Sequence, residues 1–170
     1  MYWEETAAKT ALELPMTFRI TGLAPETFQP LFGLSETDLA ARGVVRKTVT
    51  AKPGFPCRIT LEDAEPGETV LLLNHESHSV ETPYRSSYAI YVRENAPTQA
   101  AYIDALPPVL TGRPIALRLF DKDGMLTGAD LVLTGDPREA IERAFERPEV
   151  AYIDAHNAAH GCFAARVERG

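Results

Sequence analysis

The motif Asp121-Lys122-Asp123-Gly124 separates two runs rich in strand-forming residues, 114–120 and 125–133. An Asp-Gly pair supplies the positive φ that a tight hairpin needs. Strands joined this closely pair antiparallel, because a parallel pair needs a long crossover. The motif therefore commits part of the chain to an antiparallel sheet and predicts a left-handed Gly124. Turn chemistry recurs along the chain, which holds 11 glycines and 13 prolines among 170 residues. Residues 16–20, 44–50, 69–73, 88–93, 150–155 and 162–167 also pattern as strands. The segment 136–147 patterns as a helix, with Asp136 as N-cap and Pro137 at its first position. Ile141, Ala144 and Phe145 give it an apolar stripe. This helix joins two strand segments, as a crossover would. Residues 25–31 and 36–41 predict two short helices. Residues 74–85, 95–112 and 156–161 are expected to be loops. Strands in groups with few helices point to an α+β fold with a mostly antiparallel sheet.

A length of 170 residues fits a single domain. Residues 17–170 are expected to form it. Residues 1–16 read as an N-terminal extension, with Trp3, Ala7, Ala11 and Leu14 at helical spacing and Pro15 as a stop. A chain begun at Met16 should melt within a few degrees of the full chain, as differential scanning calorimetry would show.

Apolar residues make up 45% of the chain and charged residues 24%, which suits a globular core and excludes a disordered chain. The net charge of −7 argues against a partner recognised through its phosphate backbone, so no nucleic acid is expected. The densest apolar run is Val70-Leu71-Leu72-Leu73, far short of the roughly 18 residues of a membrane span. Glu4, Glu5 and Glu13 argue against a secretory signal. Two cysteines do not make a disulfide framework. These features favour a cytoplasmic protein with no membrane partner.

A series of ordered motifs runs through the chain. Phe18-Arg19-Ile20-Thr21-Gly22-Leu23 opens it, and Lys52-Pro53-Gly54-Phe55-Pro56-Cys57-Arg58 and Leu61-Glu62-Asp63-Ala64 continue it. Thr82-Pro83-Tyr84-Arg85 and Ile90-Tyr91-Val92-Arg93-Glu94 follow, and His156-Asn157-Ala158 with Gly161-Cys162-Phe163-Ala164 close it. In order and spacing these resemble the bacterial family known as domain of unknown function 1203, over residues 17–169. The resemblance implies no particular reaction. Asp154 stands where a histidine is common in that family, and His160 where a proline is common.

Cys57 follows a rigid Pro-Gly-Phe-Pro turn and adjoins Arg58. A nearby cation favours a thiolate, and a thiol nucleophile commonly works beside a histidine. Cys57 is therefore the candidate nucleophile and His156 its candidate general base. Arg58, Tyr84, Arg85, Asn157 and Cys162 are the candidate ligand-binding residues, since arginine forks grip carboxylate or phosphate. The loops holding Cys57 and Cys162 are expected to lie side by side. The simpler reading makes both cysteines core filler, with a disulfide or shared metal ligation as further alternatives. Internal ion pairs from Arg58, Arg85 and Arg93 to Glu62, Asp63 or Glu94 are the simpler reading of the arginines.

His75 and His78 lie three apart, and His156 and His160 four apart, but neither segment patterns as a helix. They are read as solvated loop histidines, and no metal is expected. No phosphate-binding or dinucleotide motif supports a cofactor. Two functions remain open: a small-molecule site that depends on a thiol, or a non-catalytic module for a small anionic ligand or a partner protein.

Overall fold

The computed structural model of the chain describes residues 17–170. The proposed extension 1–16 lies outside the described residues. Nine strands are formed: β1 Phe18–Thr21, β2 Val45–Thr48, β3 Thr69–His78, β4 Ser86–Arg93, β5 Ala101–Ile103, β6 Ile115–Phe120, β7 Leu126–Val132, β8 Tyr152–Asn157 and β9 Phe163–Arg169. Two α-helices accompany them, α1 Glu36–Ala40 and α2 Arg138–Phe145. A six-stranded sheet has the order β5-β1-β9-β8-β6-β7, and a three-stranded sheet the order β2-β3-β4. Every neighbouring pair is antiparallel, as an α+β fold of this kind requires.

The hairpin between β6 and β7 forms as its turn predicts. Gly124 has φ +78°. The Asp121 carboxylate accepts from the amides of Asp123 at 2.9 Å and Met125 at 3.0 Å, which locks the turn. A Cβ on Gly124 would lie 2.9 Å from the Val80 side chain. Gly124→Val therefore meets both backbone strain and a clash. It should cost about 2 kcal/mol in urea unfolding; a neutral result would mean the turn adopts another geometry.

Strands β7 and β8 both flank β6 and both run antiparallel to it, so α2 is a crossover between them. It buries Ala140, Ile141, Ala144 and Phe145 against the six-stranded sheet. Pro137 takes the cap position and Asp136 accepts from the Arg138 amide at 3.0 Å, one residue later than the spacing suggests.

Three sequence expectations are corrected. Residues 25–31 form two 3-10 turns, Pro25–Thr27 and Gln29–Leu31, rather than one helix. Pro30 has no amide to continue a helical ladder. Residues 74–78 extend β3 instead of opening a loop. They pair with β4, and the far end also meets the other sheet: His78 Nε2 lies 2.7 Å from the Tyr152 hydroxyl. Arg166 also donates to the Ser77 carbonyl at 3.2 Å. Finally, residues 101–103 form the edge strand β5, paired with β1.

The segment from Pro56 to Asp63 joins the two sheets. Cys57 and Ile59 enter the core under the three-stranded sheet, while Leu61 enters the core under the other. The backbone is bonded on both sides. Arg58 donates to Tyr91 O at 3.1 Å, and its own carbonyl accepts from Leu23 N at 2.7 Å. Ile59 O accepts from Ala100 N at 2.9 Å. This joint fixes the backbone that carries Arg58.

The edge strand β2 is clipped by Arg46, which pairs with Glu36 and with Glu94. Arg46 donates through Nε and Nη2 to both oxygens of Glu94, at 2.9 and 2.7 Å. Those bonds hold the Glu94 carboxyl down at about 2, against the opposing effect of burial. A depressed carboxyl stabilises the fold above its unfolded value, near 4.5, and loses that contribution as pH falls toward 2. Glu94→Gln should remove about 2 kcal/mol at neutral pH, allowing for solvent screening. It should also flatten the loss of stability between those two pH values. An unchanged acid profile would show that Glu94 is not the group responsible.

Candidate functional site

Strands β8 and β9 are joined by the turn 158–161. Asn157 N donates to Cys162 O at 3.0 Å, and Gly161 N to Asn157 O at 2.8 Å. Gly161 has φ +76°, the left-handed conformation that lets so short a turn close. Asn157 and Cys162 thus stand opposite each other at the base of the turn. The Asn157 amide donates to Cys162 Sγ at 3.5 Å.

Arg58 reaches this turn from the joint between the sheets. Its Nη2 lies 3.2 Å from Cys162 Sγ. Its Nε donates to Phe163 O at 2.8 Å and its Nη1 to Pro56 O at 2.6 Å. Arg58 is 2% exposed, and among the described residues no carboxylate forms a salt bridge with it. Burial pulls its guanidinium below the ordinary value, and the Cys162 sulfur acts in the opposite direction. A guanidinium still keeps its proton at neutral pH. A buried cation faced only by carbonyls and a sulfur is an uncompensated charge, which is costly unless something anionic faces it.

Arg58 and Cys162 line a cleft of about 870 Å³ between the sheets. Tyr88 and Tyr91 of β4 contribute aromatic walls. The Tyr88 hydroxyl accepts from Arg118 Nη1 at 2.5 Å, and the Tyr91 ring packs on Phe55 at 5.1 Å, so both rings are held in place. Arg113 lines the same cleft and donates through Nη2 to Asp63 Oδ2 at 2.6 Å.

The expected site residues separate into two groups. Arg58, Asn157 and Cys162 line the cleft together. Cys57 does not line it; its sulfur is 0% exposed and accepts from the amides of Ile59, Thr60 and Arg93. No hydrogen bond from a histidine reaches it among the described residues. The two thiol-bearing segments adjoin as expected, but Arg58 rather than a disulfide connects them, and both thiols are free.

His156 is 2% exposed, inside β8 rather than in a loop. Its Nδ1 lies 2.9 Å from Gly161 O, and its ring stands edge-on to Tyr88 at 4.9 Å. Burial pushes its pKa down, so the ring is neutral at pH 7 and donates from Nδ1. In this position it clamps the turn that presents Cys162. His78 is likewise buried, which corrects the reading of both as solvated loop residues.

Tyr84 and Arg85 do not line the cleft. Arg85 pairs with Glu76 at 2.9 Å on the surface, an internal ion pair of the simpler kind. Arg93 pairs with Glu68 and with Glu62. Arg113, Asp63, Tyr88 and Tyr91 are the cleft residues that sequence reasoning missed as a group. Gly112-Arg113-Pro114 carried a usable signal, an arginine set between two turn-forming residues. Among the described residues no group of three His, Cys, Asp or Glu side chains converges as a metal site. No described helix is long and apolar enough to cross a membrane.

The sequence profile of a family described as protein of unknown function (DUF1203) matches residues 54–169, which include every cleft residue named above. The chain belongs to the DUF1203 family. The match begins at Gly54, so β1 and β2 lie before it. No curated protein matches the chain, and no solved structure does. Asp154 forms a bidentate pair with its cross-strand neighbour Arg166, at 2.8 and 3.1 Å.

Proposed function

We propose that the cleft is a small-molecule site whose reactive group is Cys162, with Arg58 as the residue that activates it. The carrying observation is the 3.2 Å contact between a buried guanidinium and the sulfur of a half-buried cysteine at the cleft wall. A donor–acceptor bond of this type is strongest when the sulfur is anionic. That anion would also supply the counter-charge Arg58 lacks. In the reaction class this suits, the thiol proton leaves to water and the sulfur lone pair forms a bond to an electrophilic carbon. The leaving group, or the oxygen of a carbonyl, takes the displaced electron pair. The role first expected of Cys57 thus passes to Cys162, and His156 becomes a positioning residue.

A second reading is non-catalytic binding of a small anion in the same cleft. It is favoured by one observation: no histidine donates to or accepts from Cys162 among the described residues, although His160 lines the same cleft. Iodoacetamide labelling at pH 7, mapped by mass spectrometry, separates the two. The thiol reading expects Cys162 to react at least about tenfold faster than a free model thiol, with Cys57 untouched until the protein unfolds. A rate at or below that of the model thiol leaves the binding reading.

A further inference from the structure

Arg113 is placed as a receptor rather than only as a partner for Asp63. Its single contact with Asp63 uses one N–H of Nη2. A guanidinium has five such donors, and Arg113 makes no other hydrogen bond among the described residues. The Asp63 carboxylate is fixed from its other side, because Oδ1 accepts from the Gly54 amide at 3.3 Å. Asp63 therefore holds Arg113 in position without occupying its fork. Arg58 and Arg113 are two cations against one carboxylate in this cleft, in a chain whose net charge is −7. Much of the remaining lining is apolar, from Leu72, Tyr91, Pro56 and Pro114, with Asn157, His160 and Cys162 as its other polar groups.

We infer that the cleft takes a small monocarboxylate with a flat, apolar body, its carboxylate on the open fork of Arg113 and its body against Tyr91 and its cross-strand neighbour Leu72. This deepens, and rests on, the reading of the cleft as a small-molecule site. Beside Asp63 the open fork of Arg113 has room for one negative charge, and a dianion would leave a charge against Asp63. These walls recognise an apolar body by area rather than by hydrogen bonds. A neutral isostere forfeits the charge-assisted pair, which sets the specificity.

The probes are 3-phenylpropionate and its amide, titrated into the full chain and followed by calorimetry. The acid should bind at least about tenfold more tightly than the amide. Arg113→Gln should abolish that preference. Asp63→Asn, which removes the competing anion, should preserve or strengthen it. Equal binding of acid and amide, or binding of neither, overturns the inference. Iodoacetamide reactivity is read separately. An inert Cys162 in a protein that still prefers the acid sinks the thiol reading and leaves this one standing. A reactive Cys162 without acid preference does the reverse.

Discussion

Arg58→Met should slow the alkylation of Cys162 by about 10- to 100-fold at neutral pH. A hydrogen bond to a charged group contributes about 1.5–3 kcal/mol, and each 1.4 kcal/mol is roughly a factor of ten. Methionine keeps the apolar stem of arginine but cannot donate to the Cys162 sulfur, now 3.2 Å from Nη2. The stability change should be small, because two effects oppose. The variant strands the carbonyls of Phe163 and Pro56, which accept from Arg58 at 2.8 and 2.6 Å. It also removes a buried cation that has no carboxylate partner among the described residues, a change that is often neutral or stabilising. Arg58→Lys keeps the charge without the planar fork, so its rate should fall between the two. A Met variant that folds and labels at the wild-type rate would reduce Arg58 to a bracket for two carbonyls.

The parts of the fold that local chemistry encodes are legible in the sequence. The β6–β7 hairpin is written in one Asp-Gly pair and an aspartate that accepts from two amides of its own turn. Helix α2 is written in the spacing of Ile141, Ala144 and Phe145. Strand β4 alternates as expected, with Ile90 and Val92 buried and their neighbours less so. What escapes is structure held from a distance. Asn74 to His78 is too polar to suggest a strand, and it is one because β4 pairs along it, with Tyr152 and Arg166 bonding its far end. Strand β5 has three residues, too few for any period to show.

The site divides the same way. Cys162, Asn157 and Arg58 stand out as reactive or charged residues in irregular, turn-rich segments. Which cysteine faces the cleft cannot be read from spacing. Cys57 bridges to Tyr91, and Arg58 opens a turn that Leu61 N closes on Cys57 O. At that change of direction Arg58 points to the turn at Cys162 and Cys57 into the core under the three-stranded sheet.

Gly22→Ala should destabilise the protein by about 3 kcal/mol, at the upper end of what overpacking usually costs. Gly22 follows β1, where the chain crosses the joint that carries Arg58. A Cβ there would lie 2.0 Å from the carbonyl oxygen of Ile59 and 3.2 Å from that of Arg58. Neither carbonyl is free to retreat. Ile59 O accepts from Ala100 N at 2.9 Å, and Arg58 O accepts from Leu23 N at 2.7 Å. Gly22 N itself donates to Ala100 O at 2.9 Å, so the crossing is bonded on every side. Relief must come from moving the joint, which shifts Arg58 away from Cys162. The variant should therefore lose stability in urea unfolding and also label more slowly at Cys162 under native conditions. Gly33→Ala is the matched control. Gly33 has φ +75° but open space around its missing Cβ, so only backbone strain of about 1 kcal/mol is expected. If the two variants lose equal stability, the close approach at Gly22 is not what positions the joint.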